Sequence, residues 1–415
     1  MNQESLKRDM LWNAGGNLAY LLAQWLVTVA VTRILDFESA GILSVAMSLS
    51  AIFQTVAFFG IRNYQVSDIE QKYEDSAYFA FRHITAISSL LLTFLAALLL
   101  GYRAEVLVSI LLFMLFRIVE SYADVLHGIA QRKGRLDLAG RGFALKAPAL
   151  LLGFFLGFWL SHTLTGSLTG MLLGSLLSTL LYDLPRVRRL SPFRIAVSPR
   201  KALPLAGETF SLCIYFFFLS TVSSAPKFVL EKLVGTETLG AYASIFAPAL
   251  LIAGVAGYLY TPFIPTFAAL AGEKNEKGFR RLTAKILLVL LGFLLVLLVA
   301  ARFLGEWALV LVFGEGIRAY SSLLYPILVA VFATATLSFF CMLAVVRRRF
   351  LPLCLSVGTG AALSAGLAFP LIGRFGANGA SYALLIASFA AVLLLCYPVF
   401  RKGIHGRNSF GKDTL

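Results

Sequence analysis

The chain has 415 residues, of which 59% are hydrophobic and only 14% are charged. Soluble domains carry about 25% charged residues, so this composition excludes a soluble globular protein and indicates an integral membrane protein. The formal net charge of +15 fits the excess of Lys and Arg that membrane proteins carry on their cytoplasmic connections. We therefore expect no nucleic-acid partner.

Twelve apolar segments are long enough to cross a bilayer as helices, which takes about 20 residues each. The first begins at Met10 and is followed by no small-residue cleavage site, so we expect it to be retained. A polar stretch, SHTLTG, divides one long uncharged run and predicts a tight hairpin between two spans. In chain order the predicted spans are 11–32, 39–61, 83–102, 106–129, 143–161, 164–182, 209–231, 238–261, 285–304, 319–346, 350–373 and 376–400.

Lysine and arginine concentrate on alternate connections between these spans. With the N-terminus in the cytoplasm, 28 of the 36 basic residues fall on the cytoplasmic side and seven on the outer side, while Arg117 lies inside a span. Because basic residues favour cytoplasmic connections, this distribution predicts an even number of spans with both termini in the cytoplasm.

A faint internal repeat divides the chain into halves of six spans. The segments LDFESAGILSVAMSL and VGTETLGAYASIFAP each begin the second span of a half. An offset of 199 residues matches Glu38 with Glu237 and Gly41 with Gly240. We therefore predict an all-α integral membrane fold of two six-helix lobes, related as parallel repeats around a central cavity. The predicted domains are an N-terminal lobe (1–185), a basic cytoplasmic linker (186–205), a C-terminal lobe (206–402) and a polar cytoplasmic tail (403–415).

The fourth span contains an unusual group of charges, RIVESYADVLHG. At about 100° per residue its polar side chains fall within an arc of about 120°. Arg117 lies deep in the span, where a charge costs roughly 3 kcal/mol, and Glu120 one turn away is its natural partner. Two interpretations remain: a structural ion pair, or the polar wall of a transport cavity. The face consists of Arg117, Glu120, Ser121, Asp124, His127, Gly128 and Gln131.

Two other spans carry polar stripes at helical spacing. Amides are costly to bury, so the stripe on the first span favours a cavity, whereas the small residues of the second favour helix packing. The first stripe comprises Asn13, Asn17, Tyr20, Gln24 and Thr28, and the second comprises Ser44, Ser48, Thr55 and Arg62. Lys146 and Lys227 lie near span ends, where each could either contact substrate or extend to the membrane interface.

Several functional motifs are missing from the sequence. It contains no G-x-x-x-x-G-K-[ST] phosphate loop and no cluster of metal ligands, so we expect no intrinsic ATPase, metal or cofactor. The four cysteines fall in apolar runs and are predicted to pack as small hydrophobes. Asp124 and His127, at i and i+3, leave open an acid/base pair in an intramembrane acyl- or glycosyltransferase.

Four segments together resemble the polysaccharide-repeat-unit flippases of the O-antigen, capsule and teichoic-acid type. These belong to the multidrug/oligosaccharidyl-lipid/polysaccharide exporter superfamily. The segments occur in family order from end to end of the chain, and their co-occurrence is more specific than any one of them. They are TRILDFESAGILSVAMSL continuing to FFGIRNYQV, then RIVESYADVLHGIAQRKGRLDLAGRG, then LEKLVGTETLGAYASI with a later P-x-x-P-x-F, and finally FPLIGRFGANGASYALLIA.

The resemblance implies a transporter and not an enzyme. It would move an undecaprenyl-diphosphate-linked oligosaccharide from the inner to the outer leaflet of a bacterial cytoplasmic membrane by alternating access. The expected partners are this lipid, membrane lipid and a coupling ion, H⁺ or Na⁺, with the chain acting as a monomer. The alternative within the superfamily is a cation-coupled multidrug exporter.

The resemblance also suggests roles for individual residues. Arg117 matches the cation of the second segment, and Glu120 and Asp124 match its acids, which we expect to hold Arg117 in place. Arg33 and Arg62 match basic positions of the first segment. Pro226 and Lys227 stand where similar segments often carry an acid, which argues against ion coupling by the seventh span. The predicted substrate-binding residues are Arg33, Arg62, Arg117, Lys146, Lys227, Asn13, Asn17 and Gln24.

Overall fold

A computed structural model describes residues 3–68, 72–191, 193 and 199–401. This part of the chain is helical throughout, without strands. Two π-helical stretches, Thr179–Asp183 and Ala301–Gly305, and two 3₁₀ helices, Thr261–Phe263 and Glu315–Leu323, link neighbouring α-helices. The α-helices are α1 (Gln3–Ile34), α2 (Phe37–Phe58), α3 (Ile61–Ser67), α4 (Asp75–Leu99), α5 (Ala104–Arg132), α6 (Leu136–Ser161), α7 (Leu164–Ser178), α8 (Leu184–Leu190), α9 (Pro199–Val234), α10 (Thr236–Tyr260), α11 (Ile264–Gly272), α12 (Glu276–Ala300), α13 (Glu306–Phe313), α14 (Leu324–Val346), α15 (Phe350–Phe375) and α16 (Ala377–Phe400).

The predicted spans agree with these helices. Eleven helical segments in the described residues are long and apolar enough to cross a bilayer, and α10 lies on the remaining predicted span. The predicted hairpin is also present, because α6 ends at Ser161 and α7 begins at Leu164. Between them His162 adopts a left-handed conformation with φ of 54°. The Thr163 hydroxyl then accepts a hydrogen bond from the Gly166 N–H at 3.1 Å, which caps α7.

The two lobes repeat the same helix packing. In the N-lobe, α1 packs on α6 and α6 packs on α7. In the C-lobe, the equivalent helices α9, α15 and α16 pack in the same order. The fold therefore consists of two six-helix lobes, as the repeat predicted. Part of the predicted linker (192 and 194–198) and the predicted tail (403–415) lie outside the described residues.

The lobes meet closely at the end of the bundle that holds the α1–α2 and α9–α10 turns, which we call the far end. A Cβ atom on Gly41 of α2 would overlap the carbonyl oxygen of Thr236, the first residue of α10. Likewise, a Cβ on Gly240 of α10 would overlap the carbonyl oxygen of Phe37, the first residue of α2. Only glycine permits both approaches, which explains why the repeat holds these two glycines. The opposite end carries the α5–α6 turn and most basic residues, and we call it the basic end.

A seam of glycines joins α6 to α7. Any Cβ on Gly170 would overlap the Gly153 carbonyl oxygen, and any Cβ on Gly174 would overlap that of Ala149. Small residues let membrane helices pack backbone to backbone where no hydrophobic force drives them together.

We expect Gly170→Leu to separate these helices and to cost more than the roughly 1–3 kcal/mol typical of core overpacking, because the obstacle is backbone. The matched control is Gly292→Leu on α12, where a Cβ meets no atom within 4 Å. Size-exclusion chromatography of the solubilised chain should show loss of the monodisperse peak for Gly170→Leu only. Equal peaks for the two variants would contradict the seam.

Candidate substrate cavity

A cavity of about 590 Å³ lies between the lobes. Its walls come from the basic-end portions of α1, α3, α5 and α6, from α2, and from Phe216 and Ser220 of α9. The cavity therefore reaches toward the basic end, whereas the α2–α10 contact closes the far end. Its polar lining consists of Asn13, Gln54, Thr55, Arg62, Asn63, Arg117, Asp124, Gln131 and Ser220.

Arg117 faces this cavity from the middle of α5. Its guanidinium donates from Nη1 to the carboxylate of Glu120 and from Nε to the side-chain oxygen of Gln54 on α2. The Arg117 side chain remains 20% exposed, whereas that of Glu120 is only 8% exposed. Glu120 thus holds Arg117 from behind, as the i, i+3 spacing predicted, and leaves part of the guanidinium open to the cavity.

Asp124 does not hold Arg117, in contrast to our expectation. Its two carboxylate oxygens lie 3.5 Å from Arg62 Nη1 and 3.5 Å from Arg82 Nη2. Arg82 is fully buried and also donates to the carbonyl oxygen of Ala57 near the end of α2. The correction has a simple cause: helical phase places Asp124 on the polar face, but its partners come from α3 and α4.

The break between α2 and α3 positions Arg62. Phe59 and Gly60 both adopt left-handed conformations, with φ of 50° and 66°, so the chain turns there and restarts as a short helix. This turn brings Arg62 to the cavity, where its Nη2 donates to Gln131 Oε1 at 3.1 Å. Arg62 thereby links α3 to the polar face of α5.

The site carries a surplus of positive charge among its described residues. Arg62, Arg82 and Arg117 face two carboxylates, Asp124 and Glu120. Phe58 lies between two of these cations, with its ring centroid 5.6 Å from the Arg82 guanidinium carbon and 5.9 Å from that of Arg117. Guanidinium groups bind phosphate and carboxylate oxygens through paired hydrogen bonds, and the amides around them suit hydroxyl groups.

The predicted stripe on α1 contributes to the cavity through one residue. Asn13 lines it, and the Asn17 side chain donates to the Asn13 carbonyl oxygen at 2.8 Å, which orients this turn. Gln24 lies further along α1 and is not among the described lining residues. Of the second stripe, Thr55 and Arg62 both line the cavity.

Arg33 lies far from this cavity, at the far end of α1. Its Nε donates to the Val312 carbonyl oxygen at 2.8 Å, and its Nη2 contacts those of Val310 and Leu311. These carbonyl groups lie in the last turn of α13, where those of Leu311 and Val312 have no N–H donor within the helix, while that of Val310 also accepts from the Gly314 N–H at 2.8 Å. Arg33 therefore caps a C-lobe helix, a role that its position in a resemblance segment did not reveal.

Lys146 and His127 form a separate buried group. Lys146 Nζ lies 3.9 Å from one carboxylate oxygen of Asp183, and His127 Nε2 lies 3.2 Å from the other. Each of the three residues is at most 2% exposed. Lys146 thus neither extends to the interface nor lines the cavity, and His127 pairs with Asp183 and not with Asp124.

Lys227 also lies outside the first cavity. It occupies the part of α9 nearer the far end, with its ammonium 4.5 Å from the ring centroid of Phe246. It lines a second cavity, described below.

Residues of these groups that sequence reasoning missed include Gln54, Asn63, Arg82, Asp183 and Ser220. A signal for Arg82 was present, because Arg82, Thr85, Ser89 and Thr93 recur at helical spacing along α4, and all four are buried. Gln54 and Asp183 stood alone in apolar surroundings and gave no periodic pattern.

Comparison with known proteins places the chain in a family. The sequence profile described as "Polysaccharide biosynthesis protein" matches residues 6–271. The capsular polysaccharide biosynthesis protein CapF of Staphylococcus aureus is 24% identical over 304 residues, which cover 72% of this chain and 75% of CapF.

Two solved structures share the fold. The lipid II flippase MurJ, in an inward closed conformation, superposes with a TM-score of 0.74 at 13% identity, covering 94% of this chain and 87% of MurJ. An inward-facing multidrug resistance MATE family transporter of the MOP superfamily gives 0.60 at 14% identity, covering 96% and 94%. Since the profile match spans more than half of its length, the chain belongs to the polysaccharide biosynthesis protein family and has the fold of the MurJ and MATE transporters.

Proposed function

We propose that this protein is a flippase that carries an undecaprenyl-diphosphate-linked oligosaccharide from the inner to the outer leaflet of the cytoplasmic membrane. The observation that carries the proposal is the surplus of arginine over carboxylate at a cavity between two lobes. A diphosphate or an acidic sugar is the kind of group that such a cavity stabilises, since charge interactions are strong away from bulk water.

The cavity has room for a headgroup. Its volume of about 590 Å³ lies within the range of about 300–1,000 Å³ that ligand pockets occupy. Arg117 and Arg62 would contact the diphosphate, while Asn13, Gln54 and Asn63 would offer hydrogen bonds to sugar hydroxyls. The prenyl tail would remain in the bilayer beside the lobes.

Alternating access accounts for the geometry. The cavity extends toward the basic end, which the distribution of Lys and Arg predicts to be cytoplasmic. The far end would open when Gly41 and Gly240 separate from the facing helices, while the basic end closes. A coupling ion, H⁺ or Na⁺, would act through Glu120 or Asp124, which are the acids in contact with the cavity arginines. The chain would act as a monomer with both termini in the cytoplasm.

The named relatives support the same substrate class. CapF is named for capsular polysaccharide biosynthesis, and MurJ is a flippase for lipid II. The MATE comparison keeps a multidrug exporter in view, but the surplus of arginine at the cavity favours anionic over cationic substrates. The transferase hypothesis loses its acid/base pair, because His127 is buried against Asp183.

Deletion of the gene should cause one lipid-linked oligosaccharide to accumulate in the inner leaflet. The measurement is mass spectrometry of the lipid extract, compared with the same strain complemented by the unsubstituted chain. We expect a species carrying both a prenyl diphosphate and a complete sugar repeat unit, because synthesis continues while export stops. An unchanged lipid profile together with normal surface polysaccharide would rule out the proposed function.

A further inference from the structure

A second cavity, of about 450 Å³, adjoins the first. The two share Ser220 of α9, which lines both. The second cavity extends from Ser220 toward the far end, between α2, α9, α10 and α14. It thus lies on the path that a substrate would follow from the basic end to the far end.

One face of α9 lines this second cavity with polar groups. Ser220, Ser223, Ser224 and Lys227 recur at spacings of three and four residues, which places them on one side of the helix. Ser48 of α2 faces them; it is 2% exposed, and its hydroxyl has no hydrogen-bond partner among the described residues. Buried hydroxyl groups without a partner are unusual, so the Ser48 hydroxyl has a hydrogen bond to offer to a ligand in this cavity.

Lys227 is the cation of this cavity. Each of the arginines at the first cavity faces a carboxylate, whereas Lys227 has no carboxylate within ion-pair distance among the described residues. Its ammonium lies over the ring of Phe246, which offsets only part of the cost of a charge in this position. The charge is therefore available to an anion that enters the cavity.

The helix α9 lacks one hydrogen bond just before Lys227. Pro226 has no N–H, so the carbonyl oxygen of Val222, one turn earlier in α9, loses its helical partner. The hydroxyl of Ser364 on α15 donates to that oxygen at 2.7 Å and replaces the missing bond. The contact joins α9 to α15 about one turn before Lys227, which lines the cavity.

We propose that Lys227 is a second anion-binding station, which receives the substrate's diphosphate after it leaves Arg117 and Arg62. The inference rests on the proposed flippase function and deepens it. Seven residues of helix separate Ser220 from Lys227, which is a rise of about 10 Å along α9. The headgroup thus moves along a hydroxyl-lined face between two positively charged positions, and the second lies nearer the outer leaflet.

The first test measures the charge of the cavity without relying on transport. In the purified full-length chain, Ser223→Cys is labelled in separate reactions with an anionic and with a cationic methanethiosulfonate. Each labelling rate is divided by the rate at which the same reagent labels a free thiol in solution. The unsubstituted chain gives the background of the four native cysteines. We expect the anionic reagent to be favoured about tenfold or more, since a local charge concentrates counter-ions. Adding Lys227→Gln should abolish this preference, whereas Lys232→Gln, exposed near the end of the same helix, should preserve it.

Protection experiments identify the anion. Undecaprenyl diphosphate should slow labelling of Ser223→Cys at least several-fold, and only while Lys227 is present. Protection by inorganic pyrophosphate without protection by the lipid would overturn the proposal, because the site would then serve a free anion. No charge preference, or a preference that survives Lys227→Gln, would also overturn it.

The third measurement is surface polysaccharide in cells. Lys227→Gln should lower it several-fold at an unchanged membrane level of protein, Lys227→Arg should retain most of it, and Lys232→Gln should have no effect. Full export by Lys227→Gln would overturn the station. The proposed flippase function is tested separately: it would be contradicted by a deletion strain with an unchanged lipid profile.

Discussion

Cells carrying Arg117→Ala are expected to lose surface polysaccharide while the protein stays in the membrane. The cavity would lose a guanidinium that is partly open to substrate, and removal of a charge-assisted contact of this kind costs about 1.5–3 kcal/mol. Arg117→Lys should keep part of the export, since the charge remains and the paired hydrogen bonds do not. Immunoblots of membranes and quantification of surface polysaccharide measure the two quantities.

Two further variants separate binding from folding. Arg117→Ala leaves Glu120 buried without its cation, whereas Arg117→Ala/Glu120→Gln removes both charges; the double variant should stay in the membrane at the level of the unsubstituted chain and still fail to export. Arg103→Ala, an exposed arginine just before α5, is the matched control and should behave as the unsubstituted chain. Export by the double variant at the level of the unsubstituted chain would mean that the pair is structural and that Arg117 makes no contact with substrate.

Removal of Asp124 is expected to destabilise the N-lobe more than any other carboxylate substitution at the cavity. Asp124 is the acid that faces the fully buried Arg82, and leaving a buried charge without its partner costs roughly 3–5 kcal/mol. Thermal unfolding of the purified chain should therefore begin at a clearly lower temperature for Asp124→Ala. The matched control is Glu273→Ala, which removes an exposed carboxylate beyond α11.

The double variant Arg82→Leu/Asp124→Leu tests the reason for this loss. It removes both charges, so much of the stability lost in Asp124→Ala should return, although Arg62 also loses its acid. If the double variant unfolds earlier than Asp124→Ala, the buried charge of Arg82 is not the source of the destabilisation.

The spans and the repeat could be predicted because they depend on local features of the chain. Runs of apolar residues set the helices, and the glycines of the repeat mark places where backbones touch. Helical phase also showed correctly that α5 has one polar face. It did not show that this face meets three sets of partners: Gln54 for Arg117, Arg62 and Arg82 for Asp124, and Asp183 for His127.

The contacts that the sequence did not reveal are those of residues whose environment depends on distant helices. Arg33 and Lys146 both lie near the end of a predicted span, where a long cation can reach water, contact substrate or join another helix. Arg33 binds the carbonyl groups at the end of α13, and Lys146 pairs with Asp183. No local pattern contains that information, since each partner comes from another part of the chain.

The far-end contact has the geometry of an isologous interface, the kind that joins two identical subunits about a two-fold axis. Phe37 meets Gly240, and Gly41 meets Thr236, the pair related to the first by the offset of 199 residues. One chain thus contains the two copies of a contact that a dimer of half-length proteins would use. The two copies are not independent, because both lie on the same helix pair. A side chain added at either glycine would push the first turns of α2 and α10 apart. It would therefore loosen the other copy of the contact as well.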